Sequence, residues 1–383
     1  NIGKEYEIIR SNLLTFYAIY AEELKKKKDY ILAIKYHDKL ISLDKKNAYI
    51  HFCNKGANYK FNNDIKNAKQ CYETSIKLKE NYIVAYLNLY EALKEEGEFE
   101  YGKKNLEKLI EVKNNEPKAY VDELSKKVIK KAYNSLLAMY YNLDNYSSYK
   151  KLLNEIIEYD KGITSVAAID TFVSNQLEIT AEYPFCKDPL YFLKNYNLYD
   201  DRSLDNKLDS KKLYDEINTH TFYRDETGKA TKGGRQTNSN LFQSPKEDIR
   251  RLRSKIIEKI ENYKHFYSNE DDFIIKGWPN KTRFTAWSVI YEQGHQISHN
   301  HPDGWISGVF YLKVPDDLLD NEGSIEFSIH GYDHKIIHNN FENYTYKPKE
   351  GDLLLFPSSL YHKTIPYQSK KDRVVVAFDL CPA

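Results

Sequence analysis

The sequence predicts an α+β protein in two parts. An N-terminal α-solenoid of paired helices occupies residues 1–183, and a strand-rich domain occupies 184–383, its core at about 281–383 closing as a jelly roll, that is, a double-stranded β-helix. Three observations carry this reading. Between about residues 12 and 161 the sequence has Pro117 as its single proline and hardly any glycine, with apolar residues spaced by three and four. Within that stretch, apolar blocks return at a fixed interval. From Lys281 onward the texture changes to short runs of β-branched and aromatic residues, separated by Gly, Pro, Asn and Asp.

The helical part comes first. The blocks ending Leu40-Ile41-Ser42-Leu43, Ser75-Ile76-Lys77-Leu78 and Leu109-Ile110-Glu111-Val112 are offset by 35 and then 34 residues, and each is followed by a polar turn carrying Asn47, Asn81 or Asn115. Such a unit buries its apolar face by stacking on its neighbours. Small residues, Ala33, Ala68 and Gly102, fall where paired helices must approach closely. On these residues the segment resembles tetratricopeptide repeats: three units, then a fourth, KAYNSLLAMYYNLDNYSSYKKLLNEIIEYD, with a longer first helix. The Trp-Leu-Gly part of that family's consensus is absent. The resemblance implies a concave face rich in Tyr and Lys that suits an acidic or extended peptide. The stretch VAAIDTFVSNQLEI is expected to cap the stack, with Pro184 and Pro189 marking the boundary region.

Composition narrows the function classes. Lys plus Arg (57) balance Asp plus Glu (56), so no global field favours nucleic acid or an anionic membrane. No apolar run approaches the roughly 18 residues of a membrane span. The first residues, NIGKEYEIIR, do not read as a signal peptide, and Cys53, Cys71, Cys186 and Cys381 lack CxxC spacing. A cytoplasmic protein with free thiols is the expectation. Residues 188–267 read as a mixed segment: short helices or helix and strand, an extended Gly- and Thr-rich loop (TFYRDETGKATKGGRQTNSNLF), and an amphipathic helix opened by Ser244-Pro245-Lys246-Glu247. Arg250, Arg251 and Arg253 on that helix are interleaved with acids, as on a solvated face.

The strands are expected at 283–291, 296–301, 305–314, 324–329, 352–356, 361–365 and 373–380. Alternate residues of a strand share a face, so His299 with His301, or His301 with Asp303, can hold one ion between them, and His362 arrives from a later strand. Two histidines and a carboxylate on one face of an octahedron is the arrangement of non-heme Fe(II) sites that activate oxygen. Arg373, eleven residues beyond His362, falls on the next strand, where a guanidinium can grip a carboxylate in fork geometry. His330, His334 and His338 have helical spacing, but Gly331, Asn339 and Asn340 argue for a loop, and His295 reads as a surface or supporting residue.

The stretches HNHPDGWISGVFYLKVP, EGDLLLFPSSLYHKTIPY and DRVVVAFDL, in that order, resemble the Fe(II)/2-oxoglutarate-dependent oxygenases, in particular a group with H-x-H-P before W-x-S-G-x-x-Y and then G-D-x-x-x-F-P-S, His and Arg. GGRQTNSNLF fits the same group upstream, so the resemblance runs from about Pro189 to the C-terminus. It implies that His299 and His362 are iron ligands and that Arg373 binds the distal carboxylate of 2-oxoglutarate, with Tyr291, Ser307 and Trp305 shaping the co-substrate pocket. The middle ligand keeps two registers: His299, His301 and His362, or His301, Asp303 and His362. The implied reaction is hydroxylation of a C–H bond coupled to decarboxylation of 2-oxoglutarate to succinate.

Joined to a peptide-groove scaffold, this implies an enzyme that hydroxylates a side chain of a protein or peptide recruited by the repeats. The alternatives are the same chemistry on a small molecule or glycan, and a non-catalytic interaction protein with a cupin-like domain.

Overall fold

The computed structural model describes residues 2–116, 118–200, 208–224, 230–331 and 334–383. Pro117, residues 203–207 of the expected short helices, the tip of the Gly- and Thr-rich loop at 225–229, and two residues of HGYDHKIIH lie outside them. The chain forms two compact units, Asn1–Met139 and Tyr140–Ala383.

The first unit is built of α1 (Ile2–Lys26), α2 (Tyr30–Leu43), α3 (Ala48–Phe61), α4 (Ile65–Leu78), α5 (Ile83–Glu95), α6 (Phe99–Asn115) and most of α7 (Glu123–Asn142). Its repeat is written in the backbone as well as in the apolar blocks. The turn inside each helix pair is made by one residue with φ near +60° or +70°, Lys28, Asn63 and Gly97, at the same 35- and 34-residue offsets. In the first two pairs an aspartate follows, Asp29 or Asp64, whose carboxylate accepts from the backbone N–H three residues on and caps the second helix. Ala33 and Ala68 are fully buried, so the helices approach at the positions where side chains are smallest. Cys53, Tyr72, Leu89 and Leu93 close one core cluster around Ala68, Ala85 and Ala92.

The second unit begins with α8 (Tyr146–Tyr159) and α9 (Thr164–Gln176). The division between units therefore falls upstream of the 183/184 boundary expected from sequence, and the reason is visible in α9, most of whose residues are buried. Thr164 Oγ1 donates to the carbonyl of Pro302 at 2.8 Å, and the Gln176 amide accepts from Ile337 N and donates to His338 O at 2.7 and 2.9 Å. Phe172 packs against the rings of His330 and His334. Helix α9 thus supports His330, His334, Ile337 and His338.

The strand-rich part holds β1 (Lys194–Asn197), α10 (Ser210–Asn218), β2 (Phe222–Arg224), β3 (Thr231–Thr237), α11 (Glu247–Phe266), α12 (Phe273–Lys276), β4 (Thr282–Gln296), β5 (Ile306–Lys313), β6 (Ile325–Ser328), β7 (Asn343–Tyr346), β8 (Asp352–Pro357), β9 (Tyr361–Thr364) and β10 (Tyr367–Pro382). The strands form a seven-stranded sheet, in the order β1-β8-β5-β10-β4-β3-β2, and a three-stranded sheet, β7-β6-β9. Their inner faces share one core: Val289, Tyr291, Val309, Tyr311, Leu354 and Val375 from the large sheet meet Ile325 and Phe327 from the small one. This is the jelly roll. β5 is buried along nearly its whole length, as expected of a strand covered on both faces.

Two expectations change. Residues 296–301 are not a separate strand: β4 runs on through Gln296, and the chain then leaves the sheet, held by a single antiparallel bridge between His299 and His362. The GGRQT stretch lies in β3, paired with β4, rather than in an irregular loop. β3 reads poorly as a strand because Gly233 and Gly234 interrupt it, yet Gly234 is needed there, since a Cβ would stand 2.7 Å from the ring of Tyr291. Among the described residues no helix is long and apolar enough to cross a membrane.

Candidate active site

The site is assembled where β4 ends and β9 begins. Reciprocal backbone bonds, His299 N to His362 O at 3.1 Å and His362 N to His299 O at 2.9 Å, lock the two segments together. His301 N donates to Ser358 O at 3.0 Å. These bonds bring His299, His301 and His362 into one group, each offering a ring nitrogen within 4.8 Å of the others.

Each ring is oriented by its Nδ1. His299 Nδ1 meets the carbonyl of Ile297 at 2.8 Å, His362 Nδ1 that of Leu360 at 3.2 Å, and His301 Nδ1 the carboxylate of Asp379 at 2.8 Å. All three acceptors take a proton from Nδ1 and leave Nε2 with its lone pair, the form in which imidazole ligates a metal. Burial, reinforced by the neighbouring imidazole of His301, lowers the pKa of His299 to about 4, and burial with the imidazoles of His299 and then His301 holds that of His362 well below its ordinary value, so both are neutral at physiological pH. The Nε2 of His301 is buried without a hydrogen-bond partner, an orphan that a cation would satisfy. The donor set, three imidazoles on one side of a cavity, fits a divalent transition metal such as Fe(II). Asp303 lies outside this group: it is exposed, on the rim of the outer cleft.

Behind the histidines lies a narrow cavity whose walls include His299, His301, His362, Tyr311, Thr364 and Arg373. Arg373 is 2% exposed, yet no carboxylate among the described residues pairs with it and its Nε has no hydrogen-bond partner. Its guanidinium is surrounded by the rings of Tyr311, Tyr291 and Tyr367, with centroids 5.2, 5.8 and 6.0 Å away. The hydroxyls of Tyr291 and Tyr311 are also buried without partners. Removal from water pushes the Tyr291 phenol up to about 12 and raises that of Tyr311 as well, so both remain O–H donors. A buried, unpaired guanidinium costs several kcal/mol. An anion with oxygens for the fork and for two phenols removes that cost.

In front of the histidines a cleft of about 860 Å³ opens, lined by β3, by Trp287, and by 296–303. Trp287 stacks on His301, rings 5.7 Å apart and 15° from parallel. Ser307 borders the inner cavity, but its Oγ is engaged by Asp379 and Ser358. Trp305 belongs to the core: its indole N–H donates to Ile274 O at 2.8 Å and its ring meets Phe185. His330, His334 and His338 lie in the segment over α9 and do not form a metal group, and His338 Nε2 meets Asn175 O at 3.1 Å.

Sequence reasoning missed Tyr311 and Asp379. Both were within reach of a period-two reading. Counting in twos from Arg373 along β10 gives Val375, Ala377 and Asp379, and counting from Ser307 along β5 gives Val309 and Tyr311.

Fold and site together define a jelly roll that sets three histidines beside a buried arginine. Comparison with known proteins names that segment. Residues 285–379, about a quarter of the chain, match the family described as "Putative 2OG-Fe(II) oxygenase". No curated protein matches the chain. Among solved structures, a Pseudomonas putida prolyl-4-hydroxylase is similar at 11% identity and a TM-score of 0.34, over 57% of this chain and 99% of that one. The second TPR domain of the human RPAP3 protein, solved in complex with an HSP70 peptide, is similar at 15% identity and a TM-score of 0.27, over 32% of this chain and 97% of that one. The Yersinia enterocolitica type III secretion chaperone SycD, in complex with a peptide of the translocator YopD, is similar at 18% identity and a TM-score of 0.29, over 34% and 92%.

Proposed function

We propose that the protein is an Fe(II)/2-oxoglutarate-dependent hydroxylase in which His299, His301 and His362 hold the iron and Arg373, with Tyr291 and Tyr311, holds 2-oxoglutarate. The observation that carries this reading is the buried Arg373, unpaired among tyrosines in the wall of the cavity that the three histidines also line. When bound, the iron would supply activation of O₂, the oxidant: one of its oxygen atoms would end in the new C–OH and the other in succinate, formed with CO₂ from 2-oxoglutarate.

The chain's own part is placement. Backbone carbonyls and Asp379 fix the tautomers of the ligands. Arg373 and the two phenols fix the far carboxylate of the co-substrate, and the apolar walls of Val309, Ile325, Phe356 and Val375 keep bulk water from the inner cavity. The outer cleft, rimmed by Gln236, Asn238, Ser298 and Asn300, presents amides and hydroxyls suited to peptide backbone. We take the substrate to be a side chain of a protein or peptide recruited by the helical repeats, and we place the protein in a reducing compartment, the cytoplasm, because Cys53, Cys71, Cys186 and Cys381 are all buried free thiols.

The test is succinate formation from 2-oxoglutarate with Fe(II) and ascorbate, alone and with arrayed peptides, read together with a 16 Da gain on peptide. Succinate that depends on His362 and rises with peptide is the expected result. Absence of succinate with every substrate class sinks the enzyme reading, and succinate driven only by glycans or small molecules sinks the peptide.

A further inference from the structure

The three-histidine group raises a question of charge. Three neutral imidazoles leave a divalent ion with its full double charge, whereas two histidines and a carboxylate would leave one unit. The missing negative charge lies one hydrogen bond away. Asp379 Oδ2 is 2.8 Å from Nδ1 of His301, and its other oxygen accepts from Ser307 Oγ at 2.6 Å. Ser307 is the residue directly opposite Asp379 in the β5/β10 register.

That arrangement is built rather than incidental. Ser307 Oγ is in turn 2.8 Å from Ser358 Oγ, and both serines are essentially fully buried. Gly304 leaves the space Ser358 occupies, because a Cβ there would stand 2.4 Å from Ser358 Oγ. Trp287 stacks on the His301 ring, so the imidazole cannot swing away from Asp379. The Asp379 side chain keeps only 13% of its accessible surface, and among the described residues no Lys or Arg forms an ion pair with it. A carboxylate largely withdrawn from water needs a positive partner. The geometry provides one through His301: a cation on Nε2.

We propose that Asp379 is a positioning residue for the metal, fixing His301 with Nε2 toward the ion and lending through that ring the negative charge that a direct carboxylate ligand would supply. This rests on the three-histidine reading of the site. It assigns the role to the half-buried Asp379 and not to Asp303, the carboxylate that the sequence offers as a direct ligand.

The experiment is a Co(II) titration of the full chain under anaerobic conditions, read by affinity and by the visible ligand-field spectrum, for wild type and for Asp379→Asn, Asp303→Asn, Ser307→Ala and His362→Ala. Asp379→Asn keeps the shape and an acceptor oxygen but removes the charge. Its Co(II) affinity falls roughly 10- to 100-fold with a shifted spectrum, Asp303→Asn leaves both unchanged, and Ser307→Ala, which still folds if Asp379→Asn does not, gives a smaller loss in the same direction. Wild-type affinity and spectrum in Asp379→Asn, or in Ser307→Ala where Asp379→Asn fails to fold, overturn the proposal, as does a loss that follows Asp303 instead. Wild-type protein that binds no Co(II), or binds it equally in His362→Ala, overturns the three-histidine reading first and this inference with it.

Discussion

The two units bury polar groups in different ways. In the repeats, buried side-chain atoms left without hydrogen-bond partners include His37 Nδ1 on α2 and Asn58 Oδ1 on α3. The second unit also has isolated ones, at Tyr199, His220 and Asp248 among others, but three of its orphaned atoms, on His301, Tyr311 and Arg373, belong to side chains that line one cavity. Scattered orphans are tolerated costs of packing, whereas convergent ones describe the shape and charge of something that binds. On the function proposed above, the convergent groups of the jelly roll are the place where a metal and an anion bind.

The comparison breaks most readily at Arg373. If the guanidinium is there for an anion, Arg373→Leu lowers 2-oxoglutarate affinity by roughly 100-fold or more while raising the melting temperature of the ligand-free protein, because an unpaired buried charge is replaced by apolar bulk. Calorimetric titration and thermal denaturation check the two halves. A variant that loses stability and keeps its affinity would make Arg373 a structural residue like any in the repeats.

His37 sharpens the other side. Burial lowers its pKa to about 4, with further contributions from His51, Lys25 and Lys55 against the opposing Asp38. Because the folded value lies below the unfolded 6.5, the unfolded state binds the extra proton, so this contribution is whole above pH 6.5 and is lost as pH falls toward 4. The expected loss is about 2 kcal/mol, measured by urea unfolding of the helical signal across that range, and His37→Leu flattens it. An acid loss that persists unchanged in His37→Leu would place its source elsewhere. The smallest effect belongs to Tyr311→Phe: about 1 kcal/mol, or roughly five-fold, in 2-oxoglutarate affinity, with the fold unchanged because no protein partner loses a bond.

Much of this was legible in the sequence. The 35- and 34-residue offsets that mark the repeats recur in the positions of Lys28, Asn63 and Gly97, because stacking imposes one geometry on every unit. Arg373, His299, His301 and His362 were readable because their chemistry is unusual in a core. The 231–237 strand was not, since its glycines serve the packing of Tyr291 and erase the alternation that would reveal a strand. Asp379 lay within reach of a count in twos from Arg373, but its partner did not: nothing in VVVAFDL says that Ser307 lies opposite, because register is a long-range property. The placement of α8 and α9 with the jelly roll was hidden for the same reason: Thr164 and Gln176 find their partners about 140 and 160 residues away.

The central claim, that three histidines and an arginine make one composite site, is tested most directly by titrating 2-oxoglutarate calorimetrically with and without Mn(II) in place of Fe(II). Wild-type protein is predicted to bind one metal and, with it, one 2-oxoglutarate, the metal lost by at least about 100-fold in His362→Ala and the 2-oxoglutarate lost in Arg373→Leu with the metal retained. Tight 2-oxoglutarate binding in His362→Ala, or metal binding that ignores all three histidines, would contradict it.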